Sequence, residues 1–255
     1  MTRITTIINQ KGGVGKTSTA AALAAGLNAM GKKTLAVDAD AQGSLTFIMG
    51  AEATRGTYNA MTGGADVAGL IVHTEQGDLL PSTEQLIGAD LEFTKTGREY
   101  LLRDALEGVK SDYTHIIIDC PPQLGILAIN ALTASDDVII PMGADILSLQ
   151  GLGQLADTID TVKRYCNKNL RTAGLLITRY SKRAVLSRDL AEVIQEQAQA
   201  IGASVYDTQI REGIAVKEAQ TLRTSIFSSH PKANPAIDYR AFIKEYLKQE
   251  GDNRQ

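Results

Sequence analysis

The chain has 255 residues, of which 44% are hydrophobic, and this size and composition fit one large α/β domain with a sizeable core. Its formal net charge of -3 excludes a polycation, so any binding of nucleic acid must use a local basic surface. The two cysteines, Cys120 and Cys166, argue against a disulfide framework or a paired-thiolate metal site. No signal peptide or membrane-spanning run is recognisable, which predicts a cytoplasmic protein.

Short β-rich runs alternate along the chain with longer stretches of helical period. Strands are predicted at residues 4–9, 34–37, 79–82, 115–118, 138–141, 173–178 and 204–206, and helices at 17–30, 84–91, 98–106 and 239–248. Strands that are separated by helices, without hairpin signals, favour right-handed crossovers and a parallel sheet. We therefore predict a single doubly wound α/β domain over residues 1–250, with helices on both faces of a mostly parallel sheet and a polar tail at 251–255.

A glycine-rich loop follows the first predicted strand and leads into a helix. Its end, Gly15-Lys16-Thr17, matches the Walker A pattern of P-loop proteins, in which backbone N–H groups and a helix N-terminus surround phosphates. Lys16 is expected to reach the β- and γ-phosphates, and the Thr17 hydroxyl to ligate Mg²⁺. The residues predicted to bind nucleotide are Lys11, Gly12, Gly13, Val14, Gly15, Lys16, Thr17 and Ser18.

The loop departs from the usual pattern at two positions. Gln10 stands where the first glycine of the Walker A motif should fall, and the additional Lys11 follows it. A second lysine is redundant beside Lys16 if the protein acts alone, but it is useful if it serves the nucleotide of a partner subunit. The alternative is that Lys11 is a solvated surface charge.

Carboxylates follow two further predicted strands. Alternation along an extended chain puts Asp38 and Asp40 on the same side, directed at the crevice beyond the strand ends. One could order the water shell of Mg²⁺ and the other could orient an attacking water, although a simple polar turn is an alternative. Asp119 ends an apolar run of isoleucines, a pattern typical of a Walker B motif, whose carboxylate lies in the outer sphere of the metal.

Three segments together resemble the ParA/MinD family of P-loop NTPases with a deviant Walker A motif. Residues 11–17 match the family's K-G-G-x-G-K-S/T at every fixed position, residues 38–43 resemble its D-x-D-x-Q-G, and residues 119–122 its D-x-P-P. The resemblance implies ATP and Mg²⁺ as cofactors and ATP hydrolysis as the activity. It further implies that Lys11 contacts phosphates bound by the other subunit, that Asp38 assists the metal, and that Asp40 is the hydrolytic residue, with Lys11 and Lys16 completing the catalytic set.

Residues 130–136 and 149–155 look more like the partition ATPases of the family than like its cell-division branch. The chain is similar to the short, Soj-like type, without an N-terminal helix-turn-helix extension. This resemblance implies a homodimer that forms on ATP binding, association with non-specific DNA of the nucleoid, and slow hydrolysis stimulated by a ParB-like centromere-binding protein. The biological role would be the segregation of plasmid or chromosome DNA.

DNA binding would need a basic surface, because phosphate neutralisation requires Lys or Arg on one face. Basic residues cluster at 178–189 with further ones later, and a merely solvated face is the alternative. Glu212 and Ala215 depart from the family's basic pattern and put the extent of the surface in doubt. The candidates are Arg179, Lys182, Arg183, Arg188, Lys217 and Arg223.

Three other functions compete with partition. A MinD-like membrane-associated ATPase would end in a membrane-seeking amphipathic helix, whereas residues 239–248 are expected to pack on the core, with a polar tail and no membrane contact. A metabolic P-loop enzyme of the dethiobiotin synthetase type is opposed by Lys11 and by the paired aspartates. An iron–sulfur reductase of the same superfamily would need four thiolates for a shared cluster, so Cys120 is expected to be a buried small hydrophobe.

Overall fold

The computed structural model describes residues 2–63, 66–143, 151–181 and 185–252. In this part of the chain, strands form one seven-stranded sheet in the order β3-β4-β2-β5-β1-β6-β7. Every neighbouring pair is parallel except β3 and β4. The strands are β1 Arg3–Ile7, β2 Thr34–Asp38, β3 Val72–Thr74, β4 Gly77–Leu80, β5 His115–Asp119, β6 Asp137–Gly143 and β7 Arg171–Thr178. The predicted fold class is confirmed.

Helices cover both faces of the sheet. They are α1 Lys16–Ala29, α2 Ser44–Ile48, α3 Thr57–Met61, α4 Ala89–Glu92, α5 Leu101–Glu107, α6 Ile126–Ala134, α7 Leu152–Tyr165, α8 Val185–Ala200, α9 Ile214–Thr221, α10 Ile226–Ser229 and α11 Asn234–Asp252. Helices α1, α2 and α11 enclose one hydrophobic core, and α3, α5, α6 and α7 enclose the other, larger one. Because both faces are covered, the central strand β5 is buried at every position.

The C-terminal helix α11 packs on the core beside α1. Tyr239, Phe242 and Ile243 are almost completely buried, and Gly26 of α1 leaves no room for a Cβ because Ile243 approaches it closely. The Tyr239 hydroxyl also lies 3.3 Å from that of Thr19 in α1. The predicted packing of residues 239–248 is therefore confirmed, and the helix is longer than predicted at both ends.

The structure corrects several predicted elements. Residues 204–206 do not form a strand: Val205 makes one isolated bridge to Leu175 beside the sheet edge. The sequence prediction missed strand β3 and its hairpin to β4, because β3 has only three residues and shows no clear alternation. Gly77, whose φ is 126°, closes the turn of this hairpin. The predicted helix at 84–91 is a 3₁₀ turn followed by the short α4. Helix α11 continues through Asp252, and the single domain over residues 1–250 with a polar tail at 251–255 stays a prediction.

Candidate nucleotide site

The glycine-rich loop joins β1 to α1 at the carboxyl edge of the sheet. Gly13 and Gly15 have positive φ angles of 74° and 84°, a conformation that other residues adopt with strain. Gly15 caps α1 without a side-chain hydrogen bond, so the helix begins at Lys16 with the positive end of its dipole in the loop. A Cβ added at Gly12 or Gly13 would meet nothing within 4 Å, so the loop borders open space. This is the backbone of an anion-binding loop.

Side chains from distant strands hold the loop in place. Asn9 is buried; its Nδ2 donates to the Pro141 carbonyl at 2.8 Å, and its Oδ1 accepts from the Lys11 N–H at 2.9 Å. The Thr178 hydroxyl donates to the Val14 carbonyl at 2.8 Å. Sequence reasoning missed Asn9 and Thr178 as supports, because their partners are more than 130 residues away along the chain. Their effect is to hold the loop in one shape before any ligand arrives.

Lys16 points into the loop and is only 7% exposed. Its Nζ donates to the Lys11 carbonyl at 3.1 Å. Burial lowers the pKa of Lys16, while the charge of Asp119 acts in the opposite direction. The predicted phosphate-binding lysine therefore lies inside the loop that is predicted to cradle phosphate, and Lys11 lies at its rim with its backbone already engaged.

Asp119 is the end of β5 and is fully buried. It pairs in register with Ile7 on one side and with Asp38 on the other, so two carboxylates stand next to each other at the sheet edge. Neither oxygen of Asp119 has a hydrogen bond of good geometry, although Thr17 is close enough to lower its pKa somewhat. Burial, followed by the charge of Asp38, raises the pKa of Asp119 well above its ordinary value. A buried carboxylate without partners is costly and is suited to a cation or its water shell.

Asp38 ends β2 and is also fully buried. Its Oδ2 accepts from both the N–H and the hydroxyl of Thr46, each at 2.7 Å, and its Oδ1 accepts from the Asp40 N–H at 3.2 Å. Burial raises the pKa of Asp38 to about 6, against the lowering effect of the Thr46 hydrogen bonds. Thr46, in α2, was not predicted. Asp38 thus stabilises the position of α2 through Thr46, in addition to any role toward a metal.

Asp40 lies just beyond β2 and is partly exposed. Its Oδ1 accepts from the Gln42 N–H at 3.0 Å, and its carbonyl accepts from the Ser82 hydroxyl at 2.6 Å. The backbone is therefore held while one carboxylate oxygen, Oδ2, has no described hydrogen bond. Asp40 is near enough to Lys16 and Asp119 for its charge to affect the pKa of both. The structure thus brings Asp38, Asp40 and Asp119 together at one edge.

Among the described residues, no group of three or more His, Cys, Asp or Glu side chains forms a self-sufficient metal site. A divalent cation here would depend on phosphate oxygens as well as on protein groups. The residues present fit that arrangement, because Asp119 offers two unpartnered oxygens next to Thr17 and Lys16. Mg²⁺ usually keeps several waters and binds through few carboxylates plus phosphates, which matches this donor set.

The segment after Asp119 contains Cys120, which is free and fully buried, and burial raises the pKa of its thiol well above the ordinary value. The expectation of a buried small hydrophobe is confirmed. The segment ends at Gly125, where a Cβ would lie 2.5 Å from Asp90 Oδ1. The same Asp90 oxygen accepts from the Ile126 N–H at 2.7 Å and so holds the start of α6. Nothing in the local sequence indicated Asp90.

The structure describes the side chains of only three of the predicted basic residues, Arg179, Lys217 and Arg223. Lys182 and Arg183 lie outside the described residues, as does the side chain of Arg188. Arg179 has a positive φ of 54°; its Nη1 lies 3.5 Å from the Gly13 carbonyl of the phosphate loop, and its Nη2 lies 3.5 Å from Glu212 Oε1.

The two remaining candidates are associated with α9. Lys217 is exposed on this helix, and the exposed Arg223 follows its C-terminal end. The described part of the chain therefore places these two residues on α9 and just beyond its C-terminal end.

Comparisons with known proteins agree with this site. A family description named AAA domain matches residues 2–172. The chain is 41% identical over 251 residues to the sporulation initiation inhibitor protein Soj of Bacillus subtilis, covering 96% of this chain and 98% of that protein. It is 35% identical over 260 residues to the chromosome partitioning protein ParA of Caulobacter vibrioides, covering 99% and 96%. The chain belongs to the Soj/ParA family of partition ATPases.

A solved structure is also similar to this ParA-family protein. A Mycobacterium smegmatis protein described as cobyrinic acid a,c-diamide synthase, with a bound ATP analogue and magnesium, is 34% identical, with a TM-score of 0.88 over 97% of this chain and 95% of that one. The resemblance stated for residues 11–17, 38–43 and 119–122 thus extends over nearly the whole chain. None of the described helices has the length and apolar character required to cross a membrane.

Proposed function

We propose that this ParA-family ATPase binds ATP with Mg²⁺, dimerises around the nucleotide and then binds DNA without sequence specificity. Hydrolysis, stimulated by a centromere-binding partner, would end the cycle and so segregate plasmid or chromosome DNA. The observation that carries the proposal is the buried Asp119 carboxylate, without hydrogen-bond partners, beside Lys16 at the mouth of a pre-shaped glycine loop. The similarity to a protein whose structure holds an ATP analogue and magnesium supports the same ligand here.

We assign to each residue a role that its position supports. The loop N–H groups and the α1 dipole would bind the phosphates, and the buried Lys16 would neutralise them. Thr17 would ligate Mg²⁺, which when bound draws negative charge from the phosphates, and Asp119 would accept hydrogen bonds from the metal's waters. Asp38 Oδ2 is occupied by Thr46, whereas Oδ1 accepts only the longer hydrogen bond from the Asp40 N–H and would have a second lone pair for the same water shell.

Asp40 is the candidate for orienting the attacking water. Ser82 holds its backbone, and its Oδ2 takes part in none of the described hydrogen bonds. The carboxylate can therefore accept a hydrogen bond from a water while the loop keeps its own hydrogen bonds. Lys11 would act from the partner subunit, where its ammonium would offset phosphate charge that is crowded between two subunits. Water orientation and charge neutralisation are much of what a protein contributes to phosphoryl transfer.

DNA cosedimentation in ATP, in ADP and without nucleotide tests the proposal, with light scattering of the same samples. We expect a dimer and DNA binding in ATP only, and neither in Lys16→Ala, which loses the buried phosphate-binding charge. DNA binding of equal strength in all three conditions would contradict a nucleotide-controlled partition cycle. A dimer without DNA binding would restrict the proposal to nucleotide-dependent dimerisation.

The name of the similar mycobacterial protein keeps a metabolic alternative open for testing. An ATP-dependent synthase would couple ATP cleavage to activation of a small acceptor, and phosphate release would then depend on that acceptor. Stimulation of phosphate release by DNA and a centromere-binding partner, with no small molecule added, would favour partition. A membrane-associated role is opposed by the burial of the apolar face of α11 against α1, and liposome pelleting in ATP tests it directly.

A further inference from the structure

Helix α2 connects the nucleotide site to the end of α9. In its first turn, Thr46 gives two hydrogen bonds of 2.7 Å to Asp38, and its hydroxyl accepts from the Ser82 N–H at 2.9 Å. The helix begins directly after the loop that contains Asp40 and has only five residues. Because α2 is so short, we expect a displacement of the Asp38–Asp40 loop to reach the other end of the helix.

At that other end, α2 contacts Arg223. The Arg223 guanidinium carbon lies 4.2 Å from the centre of the Phe47 ring, and its Nη1 lies 3.6 Å from Glu52 just beyond the helix. The Arg223 carbonyl also approaches Gly50, where an added Cβ would lie 3.7 Å from it. Arg223 therefore rests on the segment that follows the candidate catalytic loop, although it belongs to the opposite end of the sequence.

Gln76 makes this contact a two-sided link. It occupies the β3–β4 turn and is only 8% exposed. Its Nε2 donates to the Ile48 carbonyl at 2.6 Å and to the Arg223 carbonyl at 3.1 Å. The buried Gln76 amide thus joins Ile48, the last residue of α2, directly to Arg223, which lies just beyond the C-terminal end of α9.

The backbone of Arg223 supports a functional interpretation of the link. Its φ is 52°, and among the described non-glycine residues only Arg179 shares a positive value. Such conformations persist where surrounding contacts hold them, and they cluster at functional sites. Next to it, a cavity of about 30 Å³ is lined by Ser18, Gln220 and Thr224, and the buried Thr224 hydroxyl has no partner. A small gap in the packing therefore lies where α9 meets α1 and α2.

We propose that Gln76, Phe47 and Arg223 form a link through which nucleotide occupancy positions α9 and its basic residues Lys217 and Arg223. Gln76 is a positioning residue in this scheme and contacts neither nucleotide nor DNA. The inference rests on the proposed function for its DNA-binding outcome, but the link itself concerns only the nucleotide site and α9. The first turn of α2 is anchored to Asp38 and its last residue, through Gln76, to Arg223, so a contiguous chain of contacts joins the two sites.

Hydrogen–deuterium exchange of the intact protein, with and without a non-hydrolysable ATP analogue and Mg²⁺, tests the link. In the wild type we expect the analogue to slow exchange at residues 214–226 as well as at 11–20 and 44–48. Gln76→Met keeps the volume but loses both hydrogen bonds, so the response at 214–226 should disappear while the other two remain. In the DNA assay, the ratio of affinities in ATP and ADP should fall about tenfold, the scale of one or two lost hydrogen bonds.

Glu75→Ala is the matched control, since it alters the exposed neighbour in the same turn. Phe47→Leu is a second test variant at a half-exposed position, in case Gln76→Met lowers stability. A response at 214–226 that is equal in wild type and in both test variants, or absent in a wild type that binds the analogue, would overturn the link. A normal response in a wild type that never binds DNA would instead support the link and reject the DNA step of the proposed function.

Discussion

The carboxylate edge of the sheet and the basic residues around α9 are built in opposite ways. At the edge, Asp38 and Asp119 are fully buried, and Asn9 and Thr178 hold the phosphate loop through hydrogen bonds to its backbone. The basic residues are exposed, and Arg223 has an acidic neighbour in Glu52. Phosphoryl transfer needs atoms held in position, whereas binding of bulk DNA needs only positive charge near phosphates. The contrast predicts that substitutions at the edge have large, specific effects and that basic substitutions have small, additive ones.

The largest effect is expected for Asp40→Ala. In the proposed site, Lys16, Thr17 and Asp119 would account for phosphate charge and metal, so ATP affinity should stay largely intact. Hydrolysis should fall about 10²–10⁴-fold because the carboxylate that we propose to orient the water is removed. The ATP-bound dimer would then remain on DNA after the wild type has left, as measured by DNA dissociation and phosphate release after a fixed ATP pulse.

Normal phosphate release in Asp40→Ala would remove Asp40 from the hydrolytic role. Loss of ATP binding would instead assign it to the structure or the metal, and Asp38 would become the next candidate.

The next effect concerns Lys11, which lies at the rim of the loop where edge and partner subunit would meet. A charge-assisted contact contributes about 1.5–3 kcal/mol, so Lys11→Ala should weaken the ATP-dependent dimer about tenfold to hundredfold. Size-exclusion chromatography with light scattering near the dissociation constant measures this. An unchanged dimer fraction would show that Lys11 does not contribute to the contact between subunits.

A smaller effect follows from the pKa of Asp38, which burial raises to about 6 from an ordinary value of 3.8. The folded state therefore binds the proton more tightly than the unfolded state, and this contribution to stability is present at low pH and lost as pH rises through 6. Between pH 5 and 7 the ligand-free wild type should lose about 1–2 kcal/mol relative to Asp38→Asn. Urea unfolding of both proteins measures the difference; parallel pH profiles would mean that Asp38 is already ionised.

The smallest effect is expected on the basic side. Arg183→Ala should weaken DNA binding without abolishing ATP binding, and the salt slope should fall by about one unit for each phosphate that is no longer neutralised. Lys217→Ala, at an exposed position of α9, provides a second variant with the same expected signature. If affinity and slope both keep their wild-type values in these variants, the basic residues form a solvated face and the contrast between the two regions is sharper than proposed.

Much of the edge could be predicted from local sequence. Gly13 and Gly15 stand where a positive φ is required, and the lysine and threonine after Gly15 begin a helix, so one short segment contains the whole loop. The strand-end positions of Asp38 and Asp119 followed from the apolar runs that precede them. Residues 204–206 show the limit: this β-rich run makes one bridge to β7 and does not form a strand, because a strand needs pairing over several residues and not a suitable composition alone.

The sequence by itself determined the phosphate loop, the alternation of strands and helices and the family of the protein, since these depend on the backbone preferences and spacing of neighbouring residues. Only the tertiary structure decided that Asp38 stands beside Asp119, that Thr46 occupies one of the Asp38 oxygens, and that Gln76 joins α2 to Arg223. Those pairings join segments 8 to 147 residues apart. Strand order and loop packing are set by the burial of the whole core, and no local pattern specifies them.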